Sequence, residues 1–269
     1  MKSDGWRIGV DLGGSKIEAV AINASGAIKV RERRPTPAGD YRKTIAAIVD
    51  LVHSVERQIG MDMEPVPPVG IGIPGSISPA TGLVRNANST CLIGHPLDRD
   101  LAAALGRPVR VENDANCFAI SEATDGAAAG ERVVFGVILG TGVGGGLVVD
   151  GRILTGRNRV GGEWGHNPLP WPRDDERPGP PCYCGRSGCI ETFLSGPGLA
   201  ADYAASGGGA ADAAAIGAAA ASGDDRAEAA IARYEERLAR ALATVINVID
   251  PDAIVLGGGL SNLTRLYET

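Results

Sequence analysis

The sequence predicts an α/β protein made of two related domains, and two observations carry this prediction. A strand, a glycine-rich turn and a second strand begin near Trp6, and the same order begins again near Val133. Between them, Asp40–Ile59 has apolar residues at three- and four-residue spacing, as in a helix with one buried face. The repeated order indicates a duplication, so we expect an N-terminal domain at 1–117 and a C-terminal domain at 118–269.

The N-terminal domain is predicted to open with an antiparallel meander. Its first strand ends at a glycine turn, and a third strand with polar alternation follows the turn at Asn23–Gly26. This start differs from the strand–helix start of a dinucleotide-binding fold. The first helix has Asp40 as a suitable N-cap and Gly60 at its C′ position. The predicted elements are strands at Trp6–Val10, Ile17–Ile22 and Ala27–Arg33, a helix at Asp40–Ile59, a strand at Val69–Ile73, a helix at Asp98–Leu105, a strand at Val109–Glu112 and a helix at Asn113–Asp125.

The C-terminal domain is predicted to repeat the opening order. An apolar strand runs into the glycine-rich turn Gly140–Gly146, and short strands lie on both sides of Gly151. The segment Ala200–Ala230 is rich in alanine, glycine and aspartate and is expected to form poorly specified helices and loops. The predicted elements are strands at Val133–Leu139, Leu147–Asp150 and Arg152–Leu154, a long helix at Ala227–Ile249, a strand at Asp252–Leu256 and a further helix after Gly257–Gly259.

Composition and charge argue against several classes of protein. The 269 residues carry a net charge of −6 and no basic run, which disfavours binding to nucleic acid. There is no apolar run of about 18 residues, so no membrane segment is expected, and Met1–Ile8 lacks the apolar core of a secretory signal. We therefore expect a cytoplasmic protein. Five cysteines, three of them within eight residues, favour a metal site over disulfides in that compartment.

Three predicted strands end in glycine-rich turns, at Gly13–Gly14, Gly140–Gly146 and Gly257–Gly259. A single turn of this kind is more often a tight hairpin. Three of them, two at equivalent places in the duplicated domains, favour a ligand whose phosphates meet backbone N–H groups. A dinucleotide fingerprint does not explain Gly140–Gly145, because a strand is predicted to follow it.

Two aspartates are candidates for phosphoryl-transfer chemistry. Asp11 ends the first strand, where a carboxylate could orient phosphate-bound Mg²⁺, and a turn aspartate bonded to backbone is the alternative. Asp114 is a candidate general base that accepts the proton of an attacking hydroxyl. The alternative there is a helix cap, which Asn113 or Asp114 would provide. Lys16 either pairs with phosphate or is simply exposed.

Four residues form a candidate metal cluster. His166 is followed by Cys182, Cys184 and Cys189, which together make a full tetrahedral ligand set for structural zinc. Reduced thiols in a loop are the alternative. The segment between, Pro168–Pro181, is rich in proline and charge, so a bound metal would supply the core that it lacks.

Together these motifs resemble the ROK family of sugar kinases and repressors along essentially the whole chain. Within the family, the sequence is most similar to bacterial fructokinases of the manno(fructo)kinase type. Ser15 stands where the family usually has threonine, which keeps the hydroxyl. The family segments are Asp11–Lys16, Glu112–Asn116, Gly140–Gly146, Gly162–His166, Cys182–Cys189 with Glu191, and Leu256–Gly259, and the fructokinase segments are Ile71–Pro79, Asn86–Thr90 and Gly165–Trp171.

The resemblance implies an actin-like, ribonuclease-H-like fold of two α/β domains with a cleft between them. It implies ATP and Mg²⁺ as cofactors, with Asp114 as the general base. Structural Zn²⁺ on His166, Cys182, Cys184 and Cys189 would orient a sugar-contacting loop. Nucleotide contacts are implied for Asp11, Gly13, Gly14, Ser15, Lys16, Thr141, Gly142, Gly257 and Gly258, and sugar contacts for Asn88, Asn113, Glu163, His166 and Glu191.

The expected reaction is transfer of the γ-phosphoryl group of ATP to the 6-hydroxyl of D-fructose, with mannose as a secondary substrate. One alternative is a glucose or N-acetylglucosamine kinase of the same family. Others are a non-catalytic sugar-binding protein and a ROK-type repressor, which the acidic charge disfavours. The resemblance also implies a homodimer. Family members continue past the position of Thr269, so the C-terminal domain is expected to be shortened at its end.

Overall fold

The computed structural model describes residues 5–60, 66–87 and 89–268, and the chain divides into two compact units. The first unit contains the residues up to Cys117 together with Gly156–Val160, and the second contains Phe118–Thr155 and the residues from Gly161 onward. The division is not a single cut, because a short segment of the second half groups with the first unit. Each unit is built on its own mixed β-sheet, as expected for the α/β class.

The first unit contains a five-stranded sheet with the order β3-β2-β1-β4-β7. The predicted meander is confirmed, because β1 pairs antiparallel with β2 and β2 with β3. Lys16, predicted in the turn, is the first residue of β2. The elements of this unit are β1 (Arg7–Leu12), β2 (Lys16–Ile22), β3 (Ile28–Pro35), α1 (Tyr41–Gln58), β4 (Val69–Ile73), β5 (Ser76–Ile77), β6 (Val84–Arg85), a 3₁₀ turn (Thr90–Leu92), α2 (Leu97–Leu105) and β7 (Val109–Asn113).

Helix α1 forms where the sequence predicts it. The side chain of Asp40 accepts a hydrogen bond of 3.0 Å from the backbone N–H of Lys43, which caps the first turn. Ile48, Leu51 and Val55 lie on the buried face of α1 and join the core of the first unit. Gly60 follows the helix with φ +69°, the left-handed conformation that favours glycine.

The parallel strands of this sheet share one edge. β4 is parallel to both β1 and β7, and the register places Asp11 opposite Gly72 and Gly72 opposite Glu112. The carboxyl ends of β1, β4 and β7 therefore lie side by side. In α/β sheets, ligands bind beyond this end of the strands. Helix α3 (Asp114–Asp125) starts at the same edge, and the division between the two units falls within it.

The second unit contains a four-stranded sheet with the order β10-β9-β8-β11. Long helix α7 packs through its apolar face onto the core of this unit. Its elements are β8 (Val133–Leu139), β9 (Val143–Val149), β10 (Arg152–Ile153), 3₁₀ turns at Trp164–His166 and Asp174–Glu176, α4 (Ile190–Leu194), α5 (Gly196–Ala205), α6 (Ala213–Ala221), α7 (Asp225–Ile249), β11 (Ala253–Gly257) and 3₁₀ turns at Gly259–Asn262 and Thr264–Tyr267.

The glycine-rich segment at 140–146 is mostly strand, which corrects the predicted long turn. β9 begins at Val143, and Gly144 and Gly145 pair with β8. A Cβ at Gly145 would lie 2.9 Å from both the Phe135 ring and the Trp164 indole. Gly145 therefore makes room for aromatic packing, and only the segment from Gly140 to Gly142 remains as a turn.

Two further expectations for the second unit are corrected. The alanine-rich segment forms defined helices, because Asp212 caps α6 through the N–H of Ala215 and Asp224 caps α7. The segment after Gly258 forms two 3₁₀ turns in place of the predicted helix.

Among the helices of the described residues, none combines the length and apolar character of a membrane span.

Candidate active site and metal cluster

Three carboxylates gather at the shared strand edge of the first unit. Gly72 leaves the space in which α3 starts, because a Cβ there would lie 3.6 Å from the Cys117 Sγ and 3.9 Å from the Asp114 Cα. Burial raises the pKa of Cys117 to about 11, and the negative charges of Glu112, Asp114 and Asp11 contribute to the increase. The three carboxylates thus lie within electrostatic reach of one sulfur atom and make this edge strongly electronegative.

Asn113, and not Asp114, provides the helix cap that the sequence left open between them. The Asn113 side chain accepts a hydrogen bond of 3.2 Å from the N–H of Asn116 and so caps α3, while its amide donates to the Gly75 carbonyl at 3.2 Å. Asp114 is the first residue of α3, and its Oδ1 accepts the N–H of Ala115 at 2.8 Å. A helix N-terminus stabilises a nearby negative charge, so the ionised carboxylate of Asp114 is compatible with this position.

Asp11 lies in β1 immediately before the first glycine turn. Desolvation raises its pKa, and the charge of Glu18, its cross-strand partner, raises it further, while Lys16 and Arg33 act in the opposite direction. The proximity of a cation would stabilise the ionised form of Asp11. A carboxylate in this position is therefore suited to a divalent ion that accompanies phosphate.

The first glycine turn is short and tightly bonded. The Gly13 N–H donates to the Lys16 carbonyl at 3.0 Å, and the Thr36 hydroxyl donates to the Gly13 carbonyl at 2.8 Å. Gly14 and Ser15 at its tip are exposed. Beside it lies a cavity of about 230 Å³ lined by Leu12, Gly14, Thr36, Ala38, Gly39, Thr44, Ser89, Thr90, Cys91 and Leu92. Asn88, a predicted sugar contact, lies outside the described residues.

Two glycine turns of the second unit lie next to each other. β11 is parallel to β8, with Gly257 opposite Ile138, so the turn at Gly257–Gly258 adjoins the turn that contains Thr141. Gly258 has φ +85°, and a Cβ there would lie 2.4 Å from the Leu139 carbonyl oxygen. Only glycine fits this approach, which leaves backbone groups accessible to a ligand.

Glu191 is attached to the second glycine turn. Its Oε2 accepts a hydrogen bond of 2.9 Å from the N–H of Val143, the first residue of β9. A Cβ at Gly142 would lie 2.5 Å from the same oxygen. Helix α4, which carries Glu191, is therefore coupled directly to the turn that contains Thr141 and Gly142. The structure brings these three predicted site residues together.

An apolar cavity of about 360 Å³ lies beyond the last glycine turn. Alanines of α6 form one wall, and Ile231 of α7 and Leu263 contribute apolar surface. Arg265 lines it while it pairs with Glu228 and Glu235. The lining residues are Ala213, Ala214, Gly217, Ala218, Ala220, Ala221, Glu228, Ile231, Gly259, Asn262, Leu263, Thr264 and Arg265. A flat aromatic base fits the chemistry of such walls.

His166, Cys182, Cys184 and Cys189 converge, with candidate ligand atoms all within 4.8 Å of one another. The His166 Nδ1 lies 3.6 Å from the Cys182 Sγ, and the Sγ atoms of Cys184 and Cys189 are 3.6 Å apart. Tetrahedral zinc requires about 3.6 Å between nitrogen and sulfur and about 3.8 Å between two sulfurs. The donor set and its spacing therefore fit a four-coordinate zinc ion. Glu163 and His166 flank the buried Trp164 in the same 3₁₀ segment.

Two residues of this region carried no role in the sequence analysis. The Tyr183 hydroxyl lies 3.0 Å from the His166 Nε2, and Glu176 joins the cysteine-containing insert to α7. An aromatic residue between two predicted metal ligands was a local signal for Tyr183. Glu176 had no such signal, because its partner Arg237 is 61 residues away in sequence.

Comparisons with known proteins agree with these features. The family model described as the ROK family matches residues 7–269. The N-acetyl-D-glucosamine kinase of Vibrio cholerae is 42% identical over 264 residues, covering 97% of this chain and 86% of that protein.

Two solved structures are also similar. The ROK hexokinase of Thermus thermophilus has a TM-score of 0.80 and 31% identity, covering 98% of this chain and 87% of that one. The ROK family glucokinase of Streptomyces griseus, solved with glucose and AMPPNP, has a TM-score of 0.81 and 30% identity, covering 98% and 86%. The fold is thus the actin-like α/β fold of ROK kinases. A family match over nearly the full length, joined to this fold, means that the chain belongs to the ROK family.

Proposed function

We propose that this protein transfers the γ-phosphoryl group of ATP to the 6-hydroxyl of N-acetylglucosamine. The observation that supports this substrate is the similarity to the Vibrio cholerae N-acetyl-D-glucosamine kinase, which extends over nearly the whole chain. The sequence alone favoured fructose, and the relatives move the proposal to the acetamido sugar. The broader class follows from relatives of 30–42% identity over nearly the whole chain, which are sugar kinases: the protein is an ATP-dependent sugar kinase.

In the proposed mechanism, Asp114 accepts the proton of the attacking sugar hydroxyl. It is the first residue of α3, where the helix N-terminus favours a carboxylate. Asn113 forms hydrogen bonds with both the start of α3 and the Gly75 carbonyl. It therefore fixes the position of the neighbouring Asp114, the proposed base. Transfer of a phosphoryl group depends mainly on position and charge, which a fixed aspartate provides.

The nucleotide is proposed to bind the glycine turns. Backbone N–H groups near Gly13 and Gly142 would face the phosphates, and Thr141 adds a hydroxyl there. The apolar cavity beside Gly259 is proposed to hold the adenine base, because alanine walls of α6 suit a flat ring. Asp11 would hold Mg²⁺ directly or through water, and the bound ion would supply positive charge beside the transferring phosphate.

The sugar is proposed to contact Asn88, Asn113, Glu163, His166 and Glu191. The cluster of His166 with the three cysteines is proposed to hold structural zinc, which gives the insert a fixed shape. With four protein ligands the ion has no open position, so the chemistry stays with the chain's own residues.

Fructose is a second candidate substrate. The segment Gly165–Trp171, which contains the proposed metal ligand His166, has the fructokinase-like order Gly-His-Asn-Pro-Leu-Pro-Trp. In the structure this segment leaves the 3₁₀ turn that carries His166, and Leu169 is buried in the core of the second unit. It therefore shapes the same region as the proposed sugar contacts.

The test is sugar-dependent release of ADP from Mg-ATP with N-acetylglucosamine, fructose, mannose and glucose in parallel. We expect the highest kcat/KM for N-acetylglucosamine, and Asp114→Asn should lower kcat by at least about 100-fold because the general base is lost. Asp125→Asn is the matched control, since Asp125 is an exposed residue at the other end of α3. A preference for fructose would favour the second candidate. Equal rates for Asp114→Asn and Asp125→Asn would refute the proposed role of Asp114.

A further inference from the structure

Tyr183 presents a hydroxyl in the middle of the proposed sugar-contacting residues of the second unit. Its Oη lies 3.0 Å from the His166 Nε2, and its ring packs edge-on against the imidazole with the centroids 5.1 Å apart. The residue is 72% exposed, so a ligand can reach it. Partial desolvation of the hydroxyl raises its pKa to about 12, and the charges of Glu191 and Glu163 contribute. Both carboxylates thus lie within electrostatic reach of this oxygen.

The contacts of the two His166 ring nitrogens determine how the Tyr183 hydroxyl can take part in sugar binding. The His166 Nδ1 points toward the Cys182 Sγ, on the side of the metal cluster. Its other ring nitrogen, Nε2, faces the Tyr183 hydroxyl at 3.0 Å. Both ring nitrogens of His166 therefore have neighbours in this structure, so a hydrogen-bonded link from His166 to a sugar runs through the Tyr183 hydroxyl. A hydroxyl donates one hydrogen bond and accepts others, so it can serve His166 and a sugar at once.

We propose that the Tyr183 hydroxyl binds the sugar and helps this kinase to distinguish one hexose from another. The inference rests on the proposed function and adds a residue to its site. The metal cluster, His166 and Tyr183 form one chain of contacts. The cluster therefore orients a hydroxyl that can form a hydrogen bond with a sugar oxygen. A site with a placed hydroxyl discriminates sugars by whether a partner atom faces it, because an unpaired polar group is unfavourable.

The substitution Tyr183→Phe tests the proposal, because it removes only the hydroxyl and keeps the ring against His166. Tyr267→Phe is the matched control, since Tyr267 is also exposed and its hydroxyl donates to the Ser261 carbonyl at 3.0 Å. Sugar dissociation constants would be measured by intrinsic tryptophan fluorescence, since Trp164, one of the three tryptophans, lies between Glu163 and His166. The KM values for sugar and ATP, kcat and bound zinc would be measured alongside.

We expect Tyr183→Phe to raise the sugar Kd and KM about tenfold, equivalent to about 1.4 kcal/mol. The KM for ATP and the zinc content should not change, and the ratio of kcat/KM between N-acetylglucosamine and fructose should shift at least several-fold. A sugar Kd within twofold of the unsubstituted protein would overturn the proposal, as would an equal effect of Tyr267→Phe. Loss of zinc from Tyr183→Phe would also overturn it, because the residue would then act on the cluster.

The outcome also separates this proposal from the proposed function. Sugar binding that weakens in Tyr183→Phe, in a protein that releases no ADP, would support the contact and contradict the kinase proposal. Sugar phosphorylation that is unaffected by Tyr183→Phe would support the kinase proposal and contradict the contact between Tyr183 and the sugar. If the unsubstituted protein bound none of the four sugars, both would fail.

Discussion

Gly142 shows how one absent side chain determines the position of a proposed site residue. The space that its Cβ would fill is occupied by the Glu191 carboxylate, which accepts the N–H of Val143. Gly142 does not have a positive φ, so its backbone conformation is open to other residues. The requirement for glycine at this position comes from the limited space. The Glu191 carboxylate therefore links the turn to helix α4 directly.

The substitution Gly142→Ala should displace the Glu191 side chain. We expect a rise of at least about tenfold in the sugar KM, the size of one lost hydrogen bond to a charged group. The measurement is steady-state kinetics with a melting curve for each variant. Gly140→Ala in the same turn is the stability control, because a Cβ there meets nothing closer than 4.0 Å. If Gly142→Ala and Gly140→Ala had the same sugar KM, Glu191 would not depend on this space.

The sequence could identify Gly142 and Glu191 but not their contact. The resemblance implied that Gly142 contacts the phosphates of the nucleotide and that Glu191 contacts the sugar. The structure gives Gly142 an additional steric role. Likewise, Gly145 was predicted as part of a phosphate turn, and its packing against Phe135 and Trp164 was not visible in a local pattern. Glycine clusters indicate close approach, and only the folded chain shows what approaches.

At the scale of elements, a buried ion network joins the cysteine-containing insert to α7. The Glu176 side chain is 2% exposed, and its Oε1 lies 2.7 Å from the Arg237 Nε and 2.8 Å from the Arg240 Nη2. Arg240 also donates to the carbonyl of Trp171 at 2.7 Å. Arg237 extends the network to Asp202 of α5 and lies over the Phe193 ring of α4. These contacts anchor the insert to α7 without a bound metal.

Glu176→Gln should destabilise the protein by about 3 kcal/mol, because removing one partner leaves buried arginine charges without compensation. Urea unfolding at neutral pH would measure this loss. Glu236→Gln is the matched control, since Glu236 also pairs with Arg240 but its side chain is 38% exposed. We expect less than about 1 kcal/mol for that partly exposed pair. Equal losses of unfolding free energy in Glu176→Gln and Glu236→Gln would mean that the burial of Glu176 does not increase its contribution to stability.

The same network predicts a dependence of stability on pH. Burial by itself would raise the pKa of Glu176, but hydrogen bonds from Arg237, the Arg173 N–H and Arg240 lower it to about 2. A carboxylate with a lowered pKa stabilises the fold fully above its ordinary pKa of 4.5. That contribution is lost as the pH falls from about 4.5 toward 2. Glu176→Gln should therefore flatten the acid limb of a plot of unfolding free energy against pH.

Elements with strong periodicity and caps were predictable, and elements fixed by distant partners were not. Helix α1 follows from its apolar spacing and from Asp40, and the meander follows from its turns. The Asp174–Glu176 turn has one local contact, the hydrogen bond from the Arg173 N–H to the Glu176 carboxylate, but its ion pairs are with α7 and are not visible in the local sequence. The alanine-rich segment lacks an amphipathic pattern, and its helices depend on the caps at Asp212 and Asp224.

At the scale of the whole molecule, each unit has a hydrophobic core of its own. The core of the first unit is built from its sheet and helices α1 and α2, including Leu12, Ile48 and Leu101. The main core of the second unit includes Phe135, Leu194 and Tyr234. The buried Cys189 directly precedes Ile190, which is another member of this core. The proposed zinc ion therefore belongs to the second unit alone. Its removal should affect the two units unequally.

Chelation with 1,10-phenanthroline should release one zinc ion per chain and loosen the insert. Structural zinc contributes roughly 10 kcal/mol to segments that lack their own core, so amides in 161–199 should lose protection from hydrogen exchange. Amides of the five-stranded sheet in the first unit should keep theirs, because their core contains none of the ligands. Exchange measured by mass spectrometry, with and without chelator, resolves both segments.

Cysteine substitutions provide the matched comparison for chelation. Cys184→Ser removes an exposed ligand of the cluster and should reproduce the loss of zinc and of protection in 161–199. Cys91→Ser alters a free cysteine of the first unit and should retain both. Equal loss of protection in both units would contradict the assignment of the ion to a local structural role. Full zinc content in Cys184→Ser would contradict the four-residue ligand set itself, since the remaining three ligands would leave a tetrahedral site open.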